Sequence, residues 1–152
     1  MDKTIIAQTP AEMEEIGIEL ASILRDGMVV SLVGPLGAGK TKLTKGIAKG
    51  LLSTDVIVSP SYMIAREYQG RLCMHHIDAY RVSTLKELAE VGLDDYLPPE
   101  VGVSIVEWPD RIEGLVDIST IQVTIELLDS ELYEFGELYE FGEARRVSIS
   151  KR

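Results

Sequence analysis

Apolar and polar positions along the chain change period several times, and each change predicts an element. A short strand is read over 3–7. Met13, Ile16, Leu20, Ile23 and Leu24 then recur at helical spacing, giving a helix with one apolar face. Its start is marked by Thr9 as N-cap, Pro10 at the first helical position and Glu12 closing a capping box. Asp26-Gly27 ends it. The run over 28–33 is apolar except for Ser31 and reads as a buried central strand. Leu43, Ile47, Ala48 and Leu51 share one face of a helix expected over 42–52, with Lys42, Lys45 and Lys49 elsewhere and solvated. A strand over 56–58 is broken by Pro60, which removes a donor and fixes its own φ. Strands over 64–68 and 72–77 pair across the turn Gln69-Gly70. Thr84 and Glu87 form a second capping box, and the helix behind it carries Leu85, Leu88, Ala89 and Val91 and stops at Gly92. A strand over 101–106 ends at Glu107. Over 120–127, Ile121, Val123, Ile125 and Leu127 alternate with Gln122, Thr124 and Glu126, a half-buried strand expected to run antiparallel to 146–150.

One loop in this order carries chemistry. Gly34-Pro35-Leu36-Gly37-Ala38-Gly39-Lys40-Thr41 fits G-x-x-x-x-G-K-[ST], with an apolar strand running in and a helix running out. The glycines let the chain curl so that several N–H groups point inward. With the positive end of the following helix they form a cradle for phosphate. Lys40 adds a full charge at the β and γ phosphates, and Thr41 offers a hydroxyl to Mg²⁺. Such a cradle needs an acid to hold or orient the metal and its waters, and acids for this work sit where a buried strand meets its carboxyl-end loop. Asp78 and Glu107 each directly follow an apolar strand. Ser59-Pro60-Ser61-Tyr62 is a loop whose hydroxyls could reach the γ-phosphate, although spacing alone favours a plain turn. Trp108 either fills core or shapes the nucleotide pocket. His75 and His76 point to opposite faces of their strand, one expected buried and one partly exposed, so they cannot easily share one metal. Cys73 is expected to be a core thiol.

Composition narrows the picture. The 152 residues fit one domain over 1–152, and the formal net charge of −10 argues against a broad phosphate-gripping surface for nucleic acid. Seven acids and no base lie between Glu126 and Glu143, and read as a solvated loop rather than an acidic docking surface. Within that stretch Glu131-Leu132-Tyr133-Glu134-Phe135-Gly136 is repeated at once as Glu137-Leu138-Tyr139-Glu140-Phe141-Gly142, a duplication expected at a hairpin tip. No run approaches a membrane span, no signal-peptide core follows Met1, and Cys73 is the single cysteine, so a cytoplasmic protein is expected.

The phosphate loop, Ser59-Pro60-Ser61-Tyr62, His76-Ile77-Asp78-Ala79-Tyr80-Arg81 and Glu107-Trp108-Pro109 stand together in one order and spacing. With these the chain resembles the bacterial TsaE (YjeE) family, small ATPases of tRNA threonylcarbamoyladenosine biosynthesis, over nearly its whole length. The resemblance implies slow ATP hydrolysis to ADP with Mg²⁺. It also implies action with TsaD and TsaB proteins on adenosine 37 of tRNAs reading codons that begin with A, with tRNA contacted only indirectly. It makes Thr41 and Glu107 the metal ligands and Asp78 the acid needed for hydrolysis. Gly34, Leu36, Gly37, Ala38, Gly39, Lys40 and Thr41 form the ATP site, and Thr9 lies in a segment beside the adenine. Ser61 stands where Thr is usual, and the duplication lengthens the last hairpin. A basic residue in that hairpin approaches the nucleotide in relatives, and here Arg145 and Arg146 are both candidates. The fold expected is a three-layer, P-loop NTPase-like α/β domain with a mainly parallel sheet and a C-terminal antiparallel hairpin. Two other readings are a small phosphotransferase acting on a metabolite and a nucleotide-sensing scaffold without useful hydrolysis.

Overall fold

The computed structural model describes residues 2–55, 57, 65–128 and 144–152. Of the strand expected over 56–58 only Ile57 is described, and the Ser59–Tyr62 loop and the duplicated hexapeptide fall outside the described residues.

Among the described residues seven strands form one sheet in the order β1-β7-β6-β2-β5-β4-β3. These are β1 (Asp2–Ala7), β2 (Val29–Val33), β3 (Ala65–Tyr68), β4 (Met74–Asp78), β5 (Val103–Glu107), β6 (Ile121–Leu127) and β7 (Arg145–Lys151). The four central strands, β6-β2-β5-β4, are mutually parallel. Both flanks are antiparallel: β3 pairs with β4 on one side, and β7 pairs with β6 and β1 on the other. The final hairpin is therefore present, and β1 extends the sheet beyond it.

Two helices cover one face. α1 (Pro10–Ala21) begins where Thr9 Oγ1 accepts from Glu12 N at 3.1 Å, and the Glu12 carboxylate reaches back to Gln8 N. It ends at Ala21, well before Asp26-Gly27. Leu24 remains buried from the turn that follows, so the apolar period outlasts the helical backbone. α2 (Lys40–Gly50) buries Leu43, Ile47 and Ala48 together with Leu51, which caps its C-terminus. Glu14 of α1 pairs with Lys49 at 3.0 Å and Lys42 at 3.5 Å, so two of the three lysines expected in solvent are tied to the neighbouring helix. The opposite face carries α3 (Leu85–Glu90) and three short 3₁₀ turns, which close over Val29, Ile77 and Val106 with Leu88, Ile112 and Leu115. Only Leu88 of α3 is buried; Leu85 and Val91 are exposed, against the four-residue apolar face expected.

α1 and α2 meet backbone to backbone. A Cβ on Gly17 would strike Leu43 O, one on Gly46 would strike Glu14 O, and one on Gly50 would strike the Ala21 side chain. Gly46→Ala should therefore destabilise the protein by about 3 kcal/mol, the upper end for overpacking, despite alanine's better helix propensity. A denaturant midpoint equal to that of the parent would show that the two helices can part at no cost.

Candidate active site

The parallel core brings distant parts of the chain to one edge. β2, β4 and β5 point the same way, so their carboxyl ends align. Register makes this concrete: Glu107 is the partner of Leu32 on one side and of Asp78 on the other. Two residues past Leu32 the glycine loop begins. The three strand ends open on a cleft of about 570 Å³ lined by residues 36–42, Lys45, Asp78, Tyr80, Arg81, Glu107 and Trp108.

The loop is built as its glycines require. Gly37 (φ +78°) and Gly39 (φ +107°) occupy the left-handed region that favours glycine. Gly39 is the N-cap of α2 and supplies no side-chain acceptor, so the first-turn N–H groups of that helix have no side-chain cap. Four cations, Lys40, Lys42, Lys45 and Arg81, line a cleft in a chain whose net charge is −10. Two acids, Asp78 and Glu107, line it with them, and Lys42 is paired with Glu14.

Lys40 is 6% exposed, and its Nζ donates to Gly34 O at 2.8 Å and lies 3.2 Å from the centroid of the Trp108 ring. Burial pulls its pKa below the ordinary lysine value, while the nearby Glu107, Asp110 and Asp78 carboxylates push it back up. A depressed lysine pKa means that the folded state carries a penalty for the charged form. That penalty is present below the depressed pKa and is relieved as pH rises through it. Trp108 holds φ +59°, rare for a bulky residue, and Tyr80 meets its ring edge-on at 5.2 Å. Arg111 lies 4.4 Å over Tyr80. Trp108 thus forms a wall of the cleft.

The two acids differ. Asp78 is half-buried, and its Oδ1 accepts from Tyr80 N at 2.9 Å. Glu107 is 5% exposed, and its Oε2 is 2.7 Å from His76 Nε2. A carboxylate accepts, so Nε2 carries the proton and orients Glu107 from behind. His76 Nδ1 has no partner among the described residues. Both His75 and His76 are buried, correcting the expectation that one is partly exposed: β4 lies inside the sheet with both faces covered.

Alternation along β7 separates the two late arginines. Arg145 faces inward, 5% exposed, and donates from Nε to Ala38 O at 3.1 Å and from a terminal nitrogen to Gly37 O at 3.4 Å. Arg146 faces out and pairs with Glu126 at 3.1 Å. Arg145 braces the loop's carbonyls and is not itself among the residues lining the cleft. Neither this role nor that of His76 was legible in the sequence, because both act through another residue. Thr9 stands apart from the cleft lining and caps α1. Gly34 is outside the lining as well, its carbonyl occupied by Lys40. Ser59 and Ser61 lie outside the described residues.

A glycine loop between a buried parallel strand and a helix, with acids at the ends of two neighbouring strands, defines a P-loop-type α/β protein. Comparison with known proteins makes this specific. The sequence model described as threonylcarbamoyl adenosine biosynthesis protein TsaE matches residues 7–134. The chain belongs to the TsaE family, which serves tRNA threonylcarbamoyladenosine biosynthesis. It is 39% identical over 118 residues to the protein named tRNA threonylcarbamoyladenosine biosynthesis protein TsaE from Bacillus subtilis (strain 168), covering 77% of this chain and 73% of that one. The like-named protein of Treponema pallidum (strain Nichols) is 30% identical over 123 residues, 81% of this chain and 90% of its own. A crystal structure of Bacillus subtilis YdiB superposes with a TM-score of 0.74 at 27% identity, covering 99% of this chain and 86% of that one. The family match ends at 134, inside the duplicated segment.

Proposed function

We propose that this chain is a Mg²⁺-dependent ATPase. It would work in a TsaD–TsaB type complex that threonylcarbamoylates adenosine 37 of tRNA, touching the tRNA only through its partners. The reading is carried by one observation: the glycine loop, Asp78 and Glu107 share a cleft because β2, β4 and β5 end together.

The donor set fits magnesium. The Thr41 hydroxyl and the Glu107 carboxylate are oxygen ligands lining one cleft, the chemistry this hard cation takes. Bound there, Mg²⁺ would neutralise charge on the β and γ phosphate oxygens. The protein's own part is positioning and electrostatics. Main-chain N–H groups of residues 37–41 bind the phosphates, and Lys40 exchanges its contact with the indole for the β and γ oxygens. Asp78, oriented by Tyr80 N, takes or directs the proton of the attacking water. His76 holds Glu107 in place, and Trp108 shields the lysine side of the cleft from water. Hydrolysis then times the assembly or release of the complex, in the cytoplasm where tRNA is modified. No described helix is long and apolar enough to cross a membrane.

Phosphate release measured with and without the partner proteins tests this. Stimulation in the complex is expected, and turnover that is absent under both conditions removes the ATPase reading.

Arg145→Met provides a second test. Charge-assisted bonds of this kind are worth about 1.5–3 kcal/mol. The variant should melt lower and gain less from added ATP, since its loop is no longer braced. An undiminished rise in melting temperature with ATP would mean that the loop holds its shape unaided.

A further inference from the structure

A second group of chemistry-bearing side chains gathers at the opposite end of β4 from Asp78. The two-residue period of a strand puts Cys73, just before β4, on the same side as His75. Antiparallel register sets Glu67 of β3 directly opposite His75. One ligating atom from each of the three lies within 4.8 Å of the others.

The imidazole is held as a metal-binding imidazole is held. His75 is 7% exposed and stacks on Tyr96 with centroids 4.3 Å apart. Its Nε2 is 3.3 Å from the Val101 carbonyl oxygen. A carbonyl only accepts, so Nε2 carries the proton, and the neutral ring keeps its lone pair on Nδ1. Nδ1 faces the Glu67 carboxylate with Oε2 at 3.7 Å, too far for a hydrogen bond. The Gln69 amide donates to the other oxygen, Oε1, at 2.8 Å and stands 3.8 Å from Cys73 Sγ, orienting both from outside. Three electron-pair donors thus converge from a rigid strand pair.

We propose that Glu67, Cys73 and His75 bind one zinc-class divalent cation, with its fourth position open to the adjoining cleft of about 640 Å³ that Asp95 and Glu100 also line. Sulfur, nitrogen and oxygen in one set suit zinc, whereas magnesium and calcium take oxygen throughout. Among the described residues Glu67 lies on the last strand of the sheet, β3, so the cation adds a side-chain tie between β3 and β4. Burial, with a hydrogen bond to the Glu67 carboxylate, pushes the Cys73 thiol up to about 11, so a cation bound there would displace that proton.

Untagged, full-length, metal-free protein titrated with Co²⁺ provides the test. One equivalent should bind with a thiolate-to-cobalt charge-transfer band that Zn²⁺ abolishes and excess Mg²⁺ leaves intact. Zinc should raise the melting temperature of the parent. In Cys73→Ser the band should vanish and zinc affinity should fall at least about 100-fold, the upper end of what even outer partners of a ligand set contribute. Should that variant not fold, Glu67→Gln at an exposed position is expected to weaken zinc binding likewise. Cobalt binding without the thiolate band, or zinc affinity unchanged in whichever variant folds, overturns the site and leaves His75 as a packed strand imidazole stacked on Tyr96.

Discussion

Lys40→Ala is expected to weaken ATP binding by about 2–5 kcal/mol, the loss seen when one partner of a buried charge pair is truncated. That is roughly 30-fold or more in affinity. The size follows from where the ammonium sits. It is already stripped of water, held by the Gly34 carbonyl and the Trp108 face, so meeting a phosphate costs it little further desolvation. An exposed lysine would lose more hydration and be screened by salt. The same burial gives a pH signature. The depressed pKa means that free Lys40 deprotonates earlier on alkaline titration than an ordinary lysine, and ATP affinity should fall as pH rises through that range. Isothermal calorimetry on parent and variant measures both effects. Equal affinities would dismiss the loop as the phosphate site.

Asp78→Ala is expected to leave ATP affinity nearly unchanged and to reduce turnover by about 10²–10⁴-fold, the range for a positioned acid or base. The separation of effects rests on placement. Asp78 closes β4 on the open side of the cleft with one oxygen fixed by Tyr80 N, whereas Glu107 is buried and engaged by His76. Glu107 is the ligand-like acid, rigid and oriented. Asp78 keeps an oxygen for water. Phosphate release from parent and variant, measured with candidate partner proteins present, is the test, paired with ATP binding to the variant. Turnover at the parent rate would return Asp78 to a strand-ending surface acid.

Much of the frame was readable because local signals agreed. The Thr9–Glu12 and Thr84–Glu87 caps, the apolar run into Gly34 and the alternation over 121–127 each point to one element, and each element is there. The misses have physical causes. Alternation tells which side of a strand a residue faces, never whether that side is covered. His75 and His76 were assigned to opposite faces, but both faces of β4 are packed. Leu24 sustains a helical period from a turn, so α1 was read past its end. Cys73 was expected in the core, yet it is only partly buried and lines a cleft, because it stands at the strand's entrance. Arg145 and Arg146 could not be separated without the register that sets Arg145 against Leu127 and Arg146 against Glu126. The site's acids were legible one at a time. Their convergence needed the strand order, which places β5 between β2 and β4 although it follows both in sequence.

The glycine seam between α1 and α2 has a mechanical consequence. Where main chains touch with no side chain between them, there is little compressible material, and the phosphate loop is rooted in a stiff slab. Among the described residues the other side of the sheet carries one six-residue helix and brief turns. Compliance is therefore lopsided. Strain placed on the cleft should accordingly be taken up on the thinner side, where Ile77, Ala79 and Val106 at the ends of β4 and β5 are packed.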